Sequence, residues 1–394
     1  MTGGIWFRQS LSAVNQDSGI PGAIIMRRKV VTRSEFIIRR SLLILGCILA
    51  VVVILAAAVK ITTIVGKNRL AKNANTEGPS AAELSDEPAE EVYSSDWQEG
   101  WVLYNGKPYE YNDRIRTFLV LGIDYAHQDK EVDQRLLELT KGGQADGIFL
   151  VIVNPDDETM KVLAVNRDTE VDVVMVGIGE DGGDIIAKSA ITTQHAFGGG
   201  GEYSCELTRD AVSRLLYDIP IHGYMSVSYE AIPGLNDAVG GVTLTIPEGM
   251  PDLEAIDSSW TAGTTVTLKG NKAYDFVHIR DTEVFESQRM RLARQKLYLK
   301  SFINQMKAKT KEDITLPVSL YNGMKDYLVS DLTVDTISYM TSEYLGYSFD
   351  DDDIYTMEGE TVLKDDGFEY FYPDGDSLRG LIIGLFYNEV DRAD

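Results

Sequence analysis

Two stretches of the chain carry the same five residues, VLAVNRDTEV (162–171) and FVHIRDTEV (276–284). Each places an arginine and an aspartate after an apolar run that predicts a buried strand. Arg167 and Arg280 then stand at strand ends, where open α/β sheets form their binding crevices. The second copy opens HIRDTEVFESQRMRLARQ (278–295), in which four arginines fall within eighteen residues. A helix from residue 287 gives Leu292, Leu299, Phe302, Ile303 and Met306 as its apolar stripe. On that wheel Gln295 lies within the stripe and Arg291 at its edge, with Arg289 beyond the opposite edge. Arg294 lies further round on the side of Arg291 and joins a site only if the site wraps that flank. Converging guanidiniums suit a diphosphate, because each offers a planar bidentate fork.

Carboxylates accompany these cations. Asp124 ends the run LVLGID, and Asp146 in GQADGIF immediately precedes another. If the two strands are adjacent and antiparallel, both carboxylates meet at one edge. Two carboxylates beside phosphate oxygens are a usual way to hold Mg²⁺, which keeps several waters. Asp168 and Asp281, each beside an arginine, could accept a proton or orient that arginine. A structural reading stays open throughout. The chain has 61 acidic residues against 37 basic ones. Any single arginine can simply pair with a neighbouring carboxylate, and either aspartate can be a turn or cap residue.

The elements that must position these groups follow from periodicity. IRTFLVLGID (115–124), GIFLVIVNP (147–155), KVLAVNRD (161–168) and EVDVVMVG (170–177) predict strands, the second and third as a hairpin. VTLTIP (242–247) is another, and KAYDFVHIR (272–280) leads into the second pentapeptide. Helices are predicted over 207–218, 228–241, 287–309, 334–345 and 377–387. The interleaving predicts a layered α/β/α domain with a central mixed sheet over residues 100–394. Competing motifs fail. GIGEDG (177–182) matches a dinucleotide fingerprint but puts two acids where a pyrophosphate would dock. GWVLYNGKP (100–108) has the wrong spacing for a phosphate loop. The four histidines have no metal spacing, and neither G-x-S-x-G nor H-E-x-x-H occurs. GGGG (198–201) is a turn, and DDDD (350–353) a solvated loop.

The net charge of −24 makes nucleic acid an unsuitable partner. The charge is segregated: residues 1–40 carry seven basic and two acidic side chains. Residues 41–59 carry none, close to a bilayer span, so a transmembrane helix is predicted over 41–66. The basic segment is then cytoplasmic and the bulk of the chain extracytoplasmic. Met26, directly before Arg27-Arg28-Lys29, is an alternative start. Residues 67–99, rich in Ala, Glu, Ser, Asn and Pro, predict an acidic flexible linker. Cys47 lies in the span and Cys205 outside it, so no disulfide framework is expected.

The ordered set LVLGID (119–124), ADGIFLVIVNP (145–155), VLAVNRDTEV, QHAFGGG (194–200), LNDAVGGVTLTIP (235–247), FVHIR (276–280) and RLARQ (291–295) resembles the LytR-CpsA-Psr family of cell-wall glycopolymer ligases. The similarity covers about residues 113–310. The resemblance implies a membrane-anchored phosphotransferase that moves a glycopolymer from a polyprenyl pyrophosphate carrier onto peptidoglycan. It implies Asp124 and Asp146 as Mg²⁺ ligands. It implies Arg167, Arg280, Arg291, Arg294 and Gln295 as pyrophosphate ligands, and an apolar tunnel between sheet and helices for the lipid. The sequence departs from the commonest family pattern. Ala126, Gln144 and His278 stand where arginines are common, and Ala190 where a lysine is common, the nearest here being Lys188. These changes leave open a module that binds polyprenyl phosphates or glycopolymers without chemistry. A pyrophosphatase acting on the same lipid is a third reading.

Overall fold

The computed structural model describes residues 60–70, 72–76, 78–85, 97–125, 140–250, 252–281, 283–350 and 352–390. The basic segment with Met26, the predicted span up to residue 59, residues 86–96 of the predicted linker and Ala126 lie outside the described residues. Among the described residues no helix is long and apolar enough to cross a membrane.

In chain order, residues 60–70 are helical and α1 (Ala81–Leu84) follows. β1 (Val102–Tyr104) and β2 (Lys107–Tyr111) form a hairpin. β3 (Arg116–Asp124), β4 (Gln144–Asn154) and β5 (Thr159–Val165) are successive antiparallel neighbours. β6 (Glu170–Met175) and β7 (Ile185–Ala190) make a separate hairpin. Then come α2 (Glu202–Leu215), β8 (Gly223–Ser228), α3 (Ile232–Ala238), β9 (Thr243–Thr245), α4 (Asp252–Ile256) and β10 (Thr265–Thr267). α5 (Asn271–His278), α6 (Ser287–Glu312), α7 (Leu316–Gly323), β11 (Leu328–Ser330) and α8 (Val334–Tyr344) follow. β12 (Ile354–Thr356), the hairpin β13 (Gly359–Leu363) and β14 (Glu369–Pro373), α9 (Gly375–Phe386) and β15 (Tyr387–Glu389) complete the chain.

The central sheet has six strands in the order β11-β8-β3-β4-β5-β12. It is mixed: β3 pairs parallel with β8, and β5 with β12. Because side chains alternate across a strand, each central strand serves two layers. Leu119, Leu121 and Ile123 of β3, with Ile148, Leu150 and Ile152 of β4, enter a core with α2 and α9. Phe118, Val120, Phe149 and Val151 face the opposite way, toward α6 and α8. The sheet is thus buried on both faces, which is why its strands read as nearly unbroken apolar runs.

Two expectations are corrected. Residues 271–278 form a helix, not a strand, with Ala273, Phe276 and Val277 buried on one face. Those positions are spaced i, i+3, i+4, the helical interval, and the dense apolar letters disguise it in a short run. The predicted linker is also not free over 67–85. Leu70 and Leu84 are buried in two different core clusters. Asn75 accepts from the Ile221 amide at 2.8 Å, and Ser80 donates to Asp218 at 2.6 Å. Two well-placed leucines and a few hydrogen bonds dock a segment whose composition alone suggests disorder.

Candidate functional site

β3, β5 and β8 run in one direction and β4 against them. The ends of three strands and the start of the fourth therefore share one sheet edge. Asp124 closes β3, with Gln144 as its register partner across a shift at Gly122/Ile123. Asp146 lies just inside β4, within the strand and not before it. Arg167 follows β5 in a tight turn: Thr169 N–H donates to Asn166 O at 3.1 Å, and Thr192 N–H to Arg167 O at 3.0 Å. Tyr229 follows β8, its turn fixed by Ser228 Oγ, which accepts from Glu230 N–H at 3.3 Å.

α6 crosses above this edge. Its apolar stripe predicts the buried face, and Arg291 and Gln295 are buried as that geometry requires. Asp146, itself buried, joins strand to helix. One carboxylate oxygen is ion-paired with Arg167 Nη1 and the other with Arg291 Nη1 at 2.9 Å. Arg167 also meets Asp168 at 3.3 Å and donates to Gln144 Oε1 at 2.8 Å. Arg291 is steadied by Gln288 Oε1, which accepts from Nη2 at 2.6 Å and Nε at 3.0 Å. Arg280 donates to Ser287 Oγ at 3.0 Å, at the first residue of α6. Asp124 faces His278, whose Nε2 lies 2.9 Å from Oδ2. His278 is stacked on Tyr274, centroids 4.7 Å apart, and edge-on to Tyr229 at 5.4 Å.

Burial pushes the Arg167 guanidinium down to about 10, and Arg291 and Arg280 push it the same way while Asp168 opposes them. Arg280 is lowered by burial and then by Arg291, and Arg291 by burial. Three half-buried or buried cations thus repel one another while sharing few carboxylates. Such a constellation stabilises an added polyanion.

Arg294 is not delivered to this cluster. It is fully buried and donates to the carbonyl of Phe276 at 2.6 Å and to that of Ile279, with Asp252 at 3.0 Å. It ties the C-terminal turn of α5 to α4, a satisfying role for a cation at a helix end. The sequence expectation of Arg294 as a phosphate ligand is corrected accordingly. Arg280 is delivered by the end of a helix and not of a strand, so the two RDTEV copies are not equivalent. Lys188 pairs with Asp172 at 2.9 Å on the exposed β6–β7 hairpin. Gln144 and His278 stand in the cluster itself. Tyr229, Tyr274, Gln288 and Ser287 were not singled out by sequence. Tyr229 was missed because β8, the strand parallel to β3 that delivers it to this edge, was not read from the sequence.

Beneath the edge, between the sheet and α6 to α8, lies an apolar cavity of about 500 Å³. Phe118, Val120, Phe149 and Val151 line one side; Leu299, Phe302, Ile303 and Met306 of α6 line the other. Tyr229 and Gln295 belong to its wall as well. Gln295 Nε2 donates to Tyr229 Oη at 3.0 Å and to Val277 O at 3.2 Å. The ring needs a glycine at 122. Gly122 and Gly147 are register partners, and a Cβ on Gly122 would lie 2.5 Å from Tyr229 Cε1. Tyr229 also interacts electrostatically with Arg291, Arg167 and Asp124. One residue pair therefore touches both the apolar cavity and the charged cluster.

The LytR_cpsA_psr family model matches residues 71–382. A polyisoprenyl-teichoic acid–peptidoglycan teichoic acid transferase, TagU, of Halalkalibacterium halodurans is 36% identical over 113 residues, 29% of this chain and 32% of that protein. The protein of the same name from Bacillus cereus is 26% identical over 257 residues, 65% of this chain and 73% of that protein. The chain thus spans about a third of the first relative and about three quarters of the second. The crystal structure of gbs0355 from Streptococcus agalactiae superposes with a TM-score of 0.51 at 18% identity, covering 69% of this chain and 87% of that one. With the family model spanning most of its length, and the α/β fold and mixed sheet in place, this chain belongs to the LytR_cpsA_psr family.

Proposed function

We propose that this protein is a membrane-anchored phosphotransferase that moves a glycopolymer from a polyprenyl pyrophosphate carrier to peptidoglycan during cell-wall assembly. The observation that carries this reading is the junction at Tyr229 and Gln295, which line the apolar cavity while Tyr229 interacts electrostatically with Arg167 and Arg291. A ligand matching both halves has a long apolar tail and a polyanionic head. The names of the TagU relatives support a teichoic-acid-type glycopolymer and a peptidoglycan acceptor. The uncharged run 41–59 behind a basic segment supports a single-pass anchor with the N-terminus cytoplasmic and the domain extracytoplasmic.

In this reading the isoprenoid lies along β3 and β4 under α6, and the diphosphate meets Arg167, Arg280 and Arg291. Asp146 holds Arg167 and Arg291 in place before the substrate arrives. An acceptor hydroxyl attacks the sugar-linked phosphorus, a new P–O bond forms, and the bond to the bridging oxygen breaks. The electron pair leaves on the polyprenyl phosphate, whose charge the guanidiniums stabilise. Asp168, beside Arg167, takes the hydroxyl proton or orients that arginine. Among the described residues no group of three or more His, Cys, Asp or Glu could hold a metal unaided. A Mg²⁺ completed by substrate oxygens would be held by Asp124 and Asp146, which share this sheet edge, with Asp146 exchanging an arginine contact for the ion. When bound there the ion would neutralise charge on the diphosphate.

A binding-only module is the second reading, favoured by Gln144 and His278 occupying the cluster where the family commonly has arginines. The full chain, lipid-linked donor and peptidoglycan separate the readings. Phosphodiester-linked product with one polyprenyl phosphate released per transfer supports the enzyme. Retained lipid without turnover supports the module, and release of polyprenyl phosphate together with free glycopolymer phosphate, with no peptidoglycan-linked product, supports hydrolysis.

A further inference from the structure

The hydrogen bonds around Tyr229 leave one donor unused. Gln295 Nε2 donates to both Val277 O and Tyr229 Oη, which fixes the amide with its nitrogen toward the phenol. Tyr229 Oη is therefore an acceptor in that pair. Its own proton has no acceptor among the described residues, although the side chain is only 6% exposed. A buried O–H left without an acceptor costs about 1–3 kcal/mol. The nearby charges say what would accept it. Arg291 and Arg167 are cations acting on this phenol, and Asp124 acts on it in the opposite sense. Burial still holds the group up, at about 12, so it keeps its proton near neutrality and remains a donor. The ring, packed on Gly122, forms part of the wall of the apolar cavity.

We propose that Tyr229 is a substrate-contacting residue whose hydroxyl donates to the phosphate oxygen nearest the isoprenoid. This inference rests on the phosphotransferase reading and adds a specificity rule to it: the site registers the lipid by the depth of its first phosphate. A tail carrying a phosphate places an acceptor at Tyr229 as the tail fills the cavity. A neutral polyprenol of the same length fills the cavity and supplies only its hydroxyl. The same hydrogen bond strengthens as the lipid phosphate gains charge on leaving, so it contributes to turnover as well as binding.

Tyr229→Phe tests this directly, because it keeps the ring that packs on Gly122 and removes only the hydroxyl. Binding of a polyprenyl monophosphate and of the matching polyprenol would be measured on the full chain in detergent, with thermal melting as the fold control. We expect the variant to bind the monophosphate about tenfold more weakly, as for loss of one hydrogen bond to a charged group, and to bind the polyprenol unchanged. Transfer kcat should fall as well, which a merely structural ring would not produce. Equal monophosphate affinity in both proteins would overturn the assignment of Tyr229 while leaving the phosphotransferase reading intact. So would a parallel loss of polyprenol binding, which would mark a packing role. An unaltered protein that binds neither lipid would overturn both.

Discussion

The residue on which the charged cluster turns is Asp146. It is 4% exposed and is the shared partner of Arg167 on the sheet and Arg291 on the helix. Removing one partner of a buried ion pair costs more than the pair contributes, because the remaining charge stays buried. Asp146→Asn is therefore expected to destabilise the fold by about 3 kcal/mol, measured by urea unfolding. A loss under about 0.5 kcal/mol would show that the guanidiniums find other anions unaided. At this scale the sequence was informative about composition and less so about direction. The residue types at 124, 146, 167, 280, 291 and 295 identified the cluster, and the structure brings them to one edge. Arg294 differs because it lies on the flank of α6 that the site does not wrap; it faces α5, which was expected as a strand. Once α5 ends at His278, its last carbonyls need donors, and Arg294 is in reach.

Among the elements, α6 does two tasks on one face. Its first turns present Ser287, Gln288, Arg291 and Gln295 to the polar edge, and its later turns present Leu299, Phe302, Ile303 and Met306 to the cavity. The division follows from a 26-residue helix, about 39 Å long, running from the site across the sheet. A tryptophan at Ile303 would occupy the cavity without touching the arginines. Ile303→Trp is expected to keep the melting temperature within a few degrees, the cavity accepting the added volume, and to abolish retention of a polyprenyl phosphate in a binding assay. Undiminished retention would place the lipid elsewhere. The helix was legible from its stripe over 287–309, and the central strands from their apolar runs. β9 was read within VTLTIP, but its partner β10 and the hairpin β13–β14 were not, being three to five residues per strand and held by tertiary partners.

Over the whole molecule, acidity should weaken the fold through buried imidazoles. His222 is 6% exposed, and its Nδ1 accepts from Thr117 N–H at 3.3 Å, an arrangement that needs the neutral ring. Burial, with Arg116 second, pushes its pKa down to about 3, and burial lowers that of His195 as well. The unfolded chain, with histidines near about 6.5, then binds protons that the folded chain refuses. Stability is complete above about pH 6.5 and falls as pH drops toward the folded values. The melting temperature should decline between pH 6.5 and 5, and His222→Gln should flatten that decline. An unchanged slope would remove His222 as its cause. The docking of residues 60–85 also belongs to this scale. Composition suggested a free linker, yet Leu70 and Leu84 are 2% and 0% exposed. Segment composition averages over residues, whereas docking depends on two of them meeting the right hollow.

The central claim is that Arg167 and Arg280 act on one diphosphate, although they come from a strand end and a helix end. Transfer of glycopolymer from a lipid-linked donor to peptidoglycan by the full chain, compared with Arg167→Ala and Arg280→Ala, measures it most directly. Each substitution is predicted to lower the rate by at least about a hundredfold while the protein stays folded by circular dichroism, as for loss of a donor that stabilises transition-state charge. Transfer at the unaltered rate by both variants would contradict the account.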